Sequence, residues 1–299
     1  MVAYLTAMAI SAGIYALLAL GVNLTWGMAG MVNLGLAGFF AVGGYATALL
    51  TKAGTAIPLG IAAGALAAAI TGAGVALITA RLRADYLAIV TLGFSESVRI
   101  AAANEIWLTN GSDGIAGIPG PGRGTLSPQQ FNLQFLAIVV LVLVATFILL
   151  QRLGHSPFGR VLRAIRDDED VAAVAGKHVL AFKVKAFAVG AAVLGLAGAL
   201  YAHETSYIAP DIFAPLLTLN IILALVAGGI GNNLGAILGA VLIVALLEGT
   251  RFAAPFLPFL APAQIAAVRE LLVSVLLLVI LRVLPAGIVP ERIGRSQAT

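Results

Sequence analysis

Long apolar runs alternate along this chain with short polar stretches. Neither the period of two of a half-buried strand nor the one-sided stripe of a soluble helix dominates. A helix that crosses a bilayer needs about 20 consecutive apolar residues. Runs of that kind cover roughly 3–26, 31–51, 57–80, 86–104, 131–151, 184–204 and 265–283. Pro58 stands where a helix tolerates proline, at its start. The stretch 218–249 is too long for one straight span and is interrupted by Gly228-Gly229-Ile230-Gly231-Asn232-Asn233, which predicts two shorter helices meeting at a break. The pattern predicts an all-α fold, a polytopic transmembrane helical bundle of about eight to ten spanning or broken helices. It forms a single transmembrane domain over 1–299, with an outer loop at 105–130 and a polar segment at 152–183. Residues 3–24 lack a basic leader and a small-residue cleavage site, so they read as a retained helix.

Composition strengthens this reading. The chain is 61% hydrophobic and 10% charged, with mean hydropathy +1.06, whereas soluble domains carry about 25% charged residues. Thirty-four glycines fit helices that pack backbone to backbone, since lipid gives apolar helices no hydrophobic reason to associate. There is no cysteine, which excludes disulfides, thiolate metal sites and thiol catalysis. No metal site is expected.

Charge is concentrated. Between Gln151 and Lys185 lie 11 of the 30 formal charges (17 basic plus 13 acidic). Such a segment cannot lie in lipid. Placing it in the cytoplasm brings Arg81, Arg83, Arg282, Arg292 and Arg295 inside with it, making 12 of the 17 basic residues cytoplasmic, as the positive-inside bias requires. Lys52, Arg123, Arg251 and Arg269 fall at or near the outer face. The tail reaches the cytoplasm only if 218–249 enters and returns. A simple count leaves the N-terminus outside, and a break near 27–33 would reverse that. The basic balance thus speaks for orientation in a bilayer, not for a nucleic-acid partner.

Catalytic chemistry finds little footing, and no catalytic residue is assigned. GxxxxGK[ST] is absent, so the chain does not cradle ATP itself. His155, His178 and His203 are scattered, and Ser156 beside His155 lacks the strand–turn–helix of a hydrolase elbow. Within the spans, ionisable residues are the functional suspects because burying charge is costly. Glu96 and Arg99 lie one turn apart, as do Glu248 and Arg251. Each pair can neutralise itself at i,i+3, or Glu96 and Arg99 can face a water-filled path and meet the two charges of a zwitterion. Asn33-Leu34-Gly35 recurs as Asn233-Leu234-Gly235 after a second Gly-rich break, which makes Asn33 and Asn233 candidates for a path between broken helices, or a chance match. Gly231, Gly235 and Gly239 form a small-residue packing ladder. In the outer loop, Asn110 and Asp113 sit among turn formers that either receive an external partner or order a lid.

The polar segment has internal order. Phe158 to Ile165 mixes apolar and basic residues at helical spacing. Asp167 to Asp170 favour the start of a second helix, Ala172, Ala173 and Ala175 give it a small face, and Gly176 stops it. Two short helices in a loop offer a docking surface whose register Arg and carboxylate side chains would fix. A solvated positive-inside loop is the plainer alternative.

The run Gly159-Arg160-Val161-Leu162-Arg163-Ala164-Ile165-Arg166-Asp167-Asp168-Glu169, with Ala172-Ala173 and Gly176, resembles the coupling segment of LivM-type permeases of branched-chain amino acid ABC importers. Further blocks agree in order: Gly30 to Gly35 through Gly44-Tyr45, Arg83 to Phe94, Leu108 to Gly111 through Gly117-Ile118-Pro119, Gly195 to Tyr201, and Gly228 to Gly231. The segment departs from the Glu-Ala-Ala…Gly pattern of ABC importers, because Asp170 and Val171 separate Glu169 from Ala172-Ala173. The resemblance implies a type II ABC importer-like fold in the bacterial inner membrane. Gly159, Arg160, Arg163, Arg166, Asp168, Glu169, Ala172 and Gly176 would couple to two cytoplasmic ABC ATPase subunits that carry ATP and Mg; this chain would hold no cofactor. It also implies a second, LivH-like permease and a periplasmic or lipid-anchored solute-binding protein. Branched-chain or related amino acids are the implied cargo, with urea or short amides as the alternative within the family. A self-sufficient secondary transporter or channel, with Glu96 and Arg99 as an ion relay, stays open beside it.

Overall fold

The computed structural model describes residues 2–79, 82, 84–253 and 262–291. Among these, the apolar runs are helices. Helix α1 (Val2–Val22) continues directly into a π-helical turn, Asn23–Met28. Next come α2 (Leu36–Lys52), α3 (Ile57–Thr79), α4 (Ala84–Asn104) and the short α5 (Ile106–Thr109). Strand β1 (Ile115–Ala116) precedes α6 (Pro128–His155), α7 (Pro157–Asp167), α8 (Glu169–Val174) and α9 (Val179–Thr205). Strand β2 (Tyr207–Ile208), α10 (Pro215–Gly228), α11 (Asn233–Ala253) and α12 (Pro262–Val283) complete the order. Among the described residues, five helices are long and apolar enough to cross a membrane. The fold is therefore the all-α polytopic membrane bundle that the hydrophobic pattern predicts, with β1 and β2 as one two-residue antiparallel ribbon.

The centre is a three-helix unit of α2, α3 and α9, each packed on the other two. Small residues make that contact. A Cβ on Gly64 would stand 2.6 Å from the Gly43 carbonyl, and one on Gly198 would collide with the Phe40 carbonyl. Phe39, Phe40, Phe187 and Phe213 fill the space around these close approaches. Helix α1 packs on α9 of this unit, α6 packs on α1, and the α10–α11 hairpin packs on α1 and itself contacts α12.

Helix α2 begins at Leu36, later than hydropathy alone predicts. Asn33 Oδ1 accepts the Gly35 N–H at 2.8 Å, and Thr91 Oγ1 of α4 accepts the Leu34 N–H at 3.0 Å. Side chains thus satisfy backbone donors that would otherwise force a helix at this depth. The predicted break in 218–249 is a tight turn between antiparallel helices. Gly231 there has φ +85, a left-handed value that glycine adopts without strain.

The hairpin returns the chain so that residues 284–291 lie at the end of the bundle carrying α7 and α8. The Ile288 and Val289 N–H groups donate to the carbonyls of Ala227 and Gly228, each at 2.9 Å. The start of α1 lies at the opposite end, where Tyr4 Oη donates to Glu248 Oε2 at 2.8 Å. The break after α1 therefore does not reverse α1, because α2 departs from the charged end and carries Lys52 up to the Ala116 carbonyl of the loop. Arg81, Arg83, Arg292 and Arg295 lie outside the described residues, as do the side chains of Arg251 and Arg269.

At the loop end, residues 105–127 form an ordered cover. Ser206 Oγ donates to the Ile118 carbonyl at 2.7 Å. The fully buried His203 ring bridges the Pro119 carbonyl at 2.6 Å and Thr47 Oγ1 at 3.2 Å. Arg123 donates to the Glu204 carbonyl and stacks 4.3 Å above the Phe131 ring. A capping box between Ser127 and Gln130 then starts α6.

Candidate functional site

The charged end is built from α6 downward. Ser156 caps α7 through its side chain, and Pro157 occupies the first helical position. One face of α7 is apolar and turned inward: Leu162 and Ile165 are buried, and Phe158 stacks on Phe182 of α9 with ring centroids 5.3 Å apart. Gly159 is buried because a Cβ there would strike the last carbonyls of α6. Asp168 ends α7 and caps α8, its Oδ1 accepting the N–H groups of Asp170 and Val171, both at 3.0 Å. Gly176 closes α8 at φ +76.

The arginines predicted for coupling spend their donors within the chain. Arg160 Nη1 reaches the His155 carbonyl at 3.3 Å and Arg163 Nη1 the Gly154 carbonyl at 3.0 Å. Both thereby neutralise the carbonyl-rich end of α6. Arg166 turns inward to the Gly27 carbonyl and pairs with Glu291 at 2.9 Å and Asp167 at 3.3 Å. Gly30 packs against it at φ +69. Glu169 pairs with Lys183 of α9 at 2.5 Å, and Ala172 is buried beneath α8. What α8 offers outward is different: Val171 is 65% exposed and Val174 90% exposed, beside the exposed Asp167, Asp168 and Asp170.

Behind α7 lies a buried polar hub. Asn23, in the π turn of α1, donates to Asn233 Oδ1 at 2.9 Å and accepts the Gly231 N–H at 2.8 Å. Asn233 in turn donates to Gln151 Oε1 of α6 at 3.0 Å. Asn232 donates to the Pro290 carbonyl at 3.1 Å. Asn23 and Asn233 are essentially inaccessible. The hub joins α1, α6, the α10–α11 turn and the tail, and Arg166 fastens α7 to it through Gly27 and Glu291.

The remaining predicted residues are not brought to this site. Asn33 is buried against α4 with its Nδ2 unpartnered, so the two Asn-Leu-Gly copies do not meet. Glu96 and Arg99 pair with each other on α4, Arg99 Nε donating to Glu96 Oε2 at 2.9 Å. Asn110 adopts φ +62 and donates to the Gly114 carbonyl at 2.9 Å, while the Asp113 carbonyl accepts from Tyr207 at 3.0 Å. The sequence reading passed over Val171, Val174, Asn23, Gln151 and Glu291. Exposed valines amid acids were a signal for the first two; nothing local marks the others, which acquire their roles by long-range contact.

Comparison with known proteins follows the same lines. A family model described as branched-chain amino acid transport system permease component matches residues 4–281. The high-affinity branched-chain amino acid transport system permease protein LivM of Escherichia coli K12 is 36% identical over 263 residues, covering 79% of this chain and 61% of that protein. The probable LivM of Methanocaldococcus jannaschii is 28% identical, covering 94% of this chain and 91% of its own. The permease protein LivH of Salmonella typhimurium is 26% identical over 92% of this chain. The chain thus spans 61% of the length of the enteric LivM proteins it resembles. No solved structure gives a significant match. A polytopic helical bundle, matched almost end to end by that family model, places this chain in the family of branched-chain amino acid transport system permease components.

Proposed function

We propose that the chain is the membrane-spanning permease subunit of an ATP-driven importer that moves branched-chain or related small amino acids by alternating access. The relatives' names support the cargo and the transport class. In this reading the α7–α8 end faces the cytoplasm and the 105–127 cover faces the outside. ATP and Mg act on separate ATPase subunits, a second permease of the same family completes the pathway, and a solute-binding protein delivers substrate at the cover.

The carrying observation is the division of labour between α7 and α8. Helix α7 is fastened to four parts of the bundle through Arg166 and the Asn23–Asn233 hub, while α8 presents Val171 and Val174 to solvent inside an acidic rim. An apolar knob with a charged rim is the anatomy of a protein contact. A partner seated on α8 would move α7, and α7 would move α1, α10, α11 and the tail with it.

The test is reconstitution. Val174→Asp is expected to lose co-purification with a co-expressed ABC ATPase partner and to lose ATP-dependent leucine uptake in proteoliposomes, with the detergent-solubilised permease still monodisperse. Leucine uptake by this chain alone, driven by an ion gradient, would falsify the proposal. Glu96 and Arg99 pair with each other one turn apart, which favours mutual neutralisation over such a relay.

A further inference from the structure

The exposed face of α3 is apolar, as is that of α6 between Gln134 and Gln151: Leu66 and Ile70 on α3, and Leu141 and Leu149 on α6, all stand more than half exposed. They suit acyl chains. Helix α4 differs. It is packed mainly against α2 and the loops around β1 and β2, and barely against α3. Its outward stripe carries Tyr86 at 61% exposure and Ile89 at 67%, together with the exposed Gly93 and Ser97. Bordering that stripe is the Glu96–Arg99 ion pair, whose side chains are 35% and 27% exposed.

Position makes this face unfit for lipid. At 1.5 Å per residue, Glu96 lies about 12 Å below the Asn104 end of α4, and the hydrocarbon layer is about 30 Å thick. The short glutamate stem cannot snorkel that far, unlike a lysine. Ionisable groups within spans face other protein or a water-filled cavity. The stripe is therefore turned to another polypeptide or to a water-filled path, and its shape favours the polypeptide. At Gly93 a Cβ would meet nothing within 4 Å, so an incoming helix can approach the α4 backbone closely.

We infer that this face of α4 is the seam against a second, homologous permease, with Glu96 and Arg99 at its edge. The inference rests on the proposed transport role. Its occupant is argued from two observations: the face lies at membrane depth, which excludes a soluble ATPase or binding protein, and the chain resembles both LivM and LivH permeases of one bacterium. A paralogous membrane chain is the partner of matching depth and polarity.

The absence of cysteine permits a direct test in membranes expressing the full system. Gly93→Cys and Ser97→Cys, each carrying a benzophenone maleimide, are expected to give a photo-adduct that mass spectrometry identifies as the paralogous permease. Ile70→Cys and Leu141→Cys should give none. Two positions guard against a single variant that misfolds. Adducts confined to lipid, formed to a second copy of this chain, or formed to the paralogue from Ile70 or Leu141 instead of α4 overturn the seam. Affinity purification of the unlabelled complex separates this from failure of the transport role: a complex with permease and ATPase present but no α4 adduct refutes the seam alone, whereas no such complex refutes both.

Discussion

Arg166 shows how a side chain that looks like a contact for a partner becomes a bolt within the chain. Its guanidinium meets the Gly27 carbonyl, Glu291 and Asp167 at once, and a planar fork suits such multiple acceptance. The Glu291 pair is about one-fifth exposed, and a glutamine keeps a donor there, so its loss should cost about 1–3 kcal/mol. Arg166→Gln is therefore expected to fold and to keep the ATPase bound through α8, while ATP hydrolysis proceeds without uptake. Paired hydrolysis and uptake assays check this; loss of ATPase binding would return Arg166 to the contact surface. Asn233 is a different case, because the buried Asn23 depends on it and Gln151 is tied to the hub through it. Asn233→Ala leaves the buried Asn23 donor unmatched, at about 1–3 kcal/mol, and a lowered melting temperature of the purified permease would report it. Sequence spacing identified Asn233 as special but placed it on a pathway beside Asn33. Only the fold reveals that its neighbours are residues 151 and 23, since sequence separation carries no information on which distant amide will lie opposite.

At the scale of elements, most of the architecture was legible because lipid imposes it. Each long apolar run is a helix, and the glycine interruption at 228–233 is a hairpin turn. What hydropathy could not reveal is where an apolar run is not helical. Residues 30–35 are as apolar as their neighbours, yet Asn33 and Thr91 supply the hydrogen bonds that let them run irregularly. The order of the 105–127 cover was likewise hidden, since turn formers describe a mobile loop and a pinned one equally. Its pins are His203 and Ser206, which lie far along the chain from it, and Arg123, which reaches out of it to α9 and Phe131. Close packing of α2 against α3 and α9 yields a sharper expectation. A Cβ on Gly198 collides with backbone, not with a yielding side chain, and overpacking of this kind costs about 1–3 kcal/mol or more. Gly198→Val should lower the folded yield in membranes, whereas Gly74→Val, where a Cβ meets nothing, should not; fluorescence size-exclusion of the solubilised protein distinguishes the two.

For the whole molecule, the ends of the bundle carry distinct tasks. One end is a fixed cover stitched to α2, α6 and α9; the other is a jointed platform. In the proposed orientation, Asp113→Cys should react with a membrane-impermeant maleimide in intact cells and Ala175→Cys only after the membrane is opened. Reversal of that pattern would invert the molecule. The positive-inside count favours this orientation, and the return of the hairpin puts residues 284–291 at the same end as α7 and α8.

The π turn at Asn23–Met28 has a consequence for how such a chain can change. A turn closed by i→i+5 bonds holds about one residue more than an α turn. Deleting one residue there would leave α1 just as hydrophobic and just as able to insert, while rotating everything beyond it by about 100°. Asn23 and the Gly27 carbonyl would then no longer point the same way, and the bolt and the hub would lose their common wall. A single codon thus separates a helix that merely resides in the membrane from one geared to the machinery beneath it.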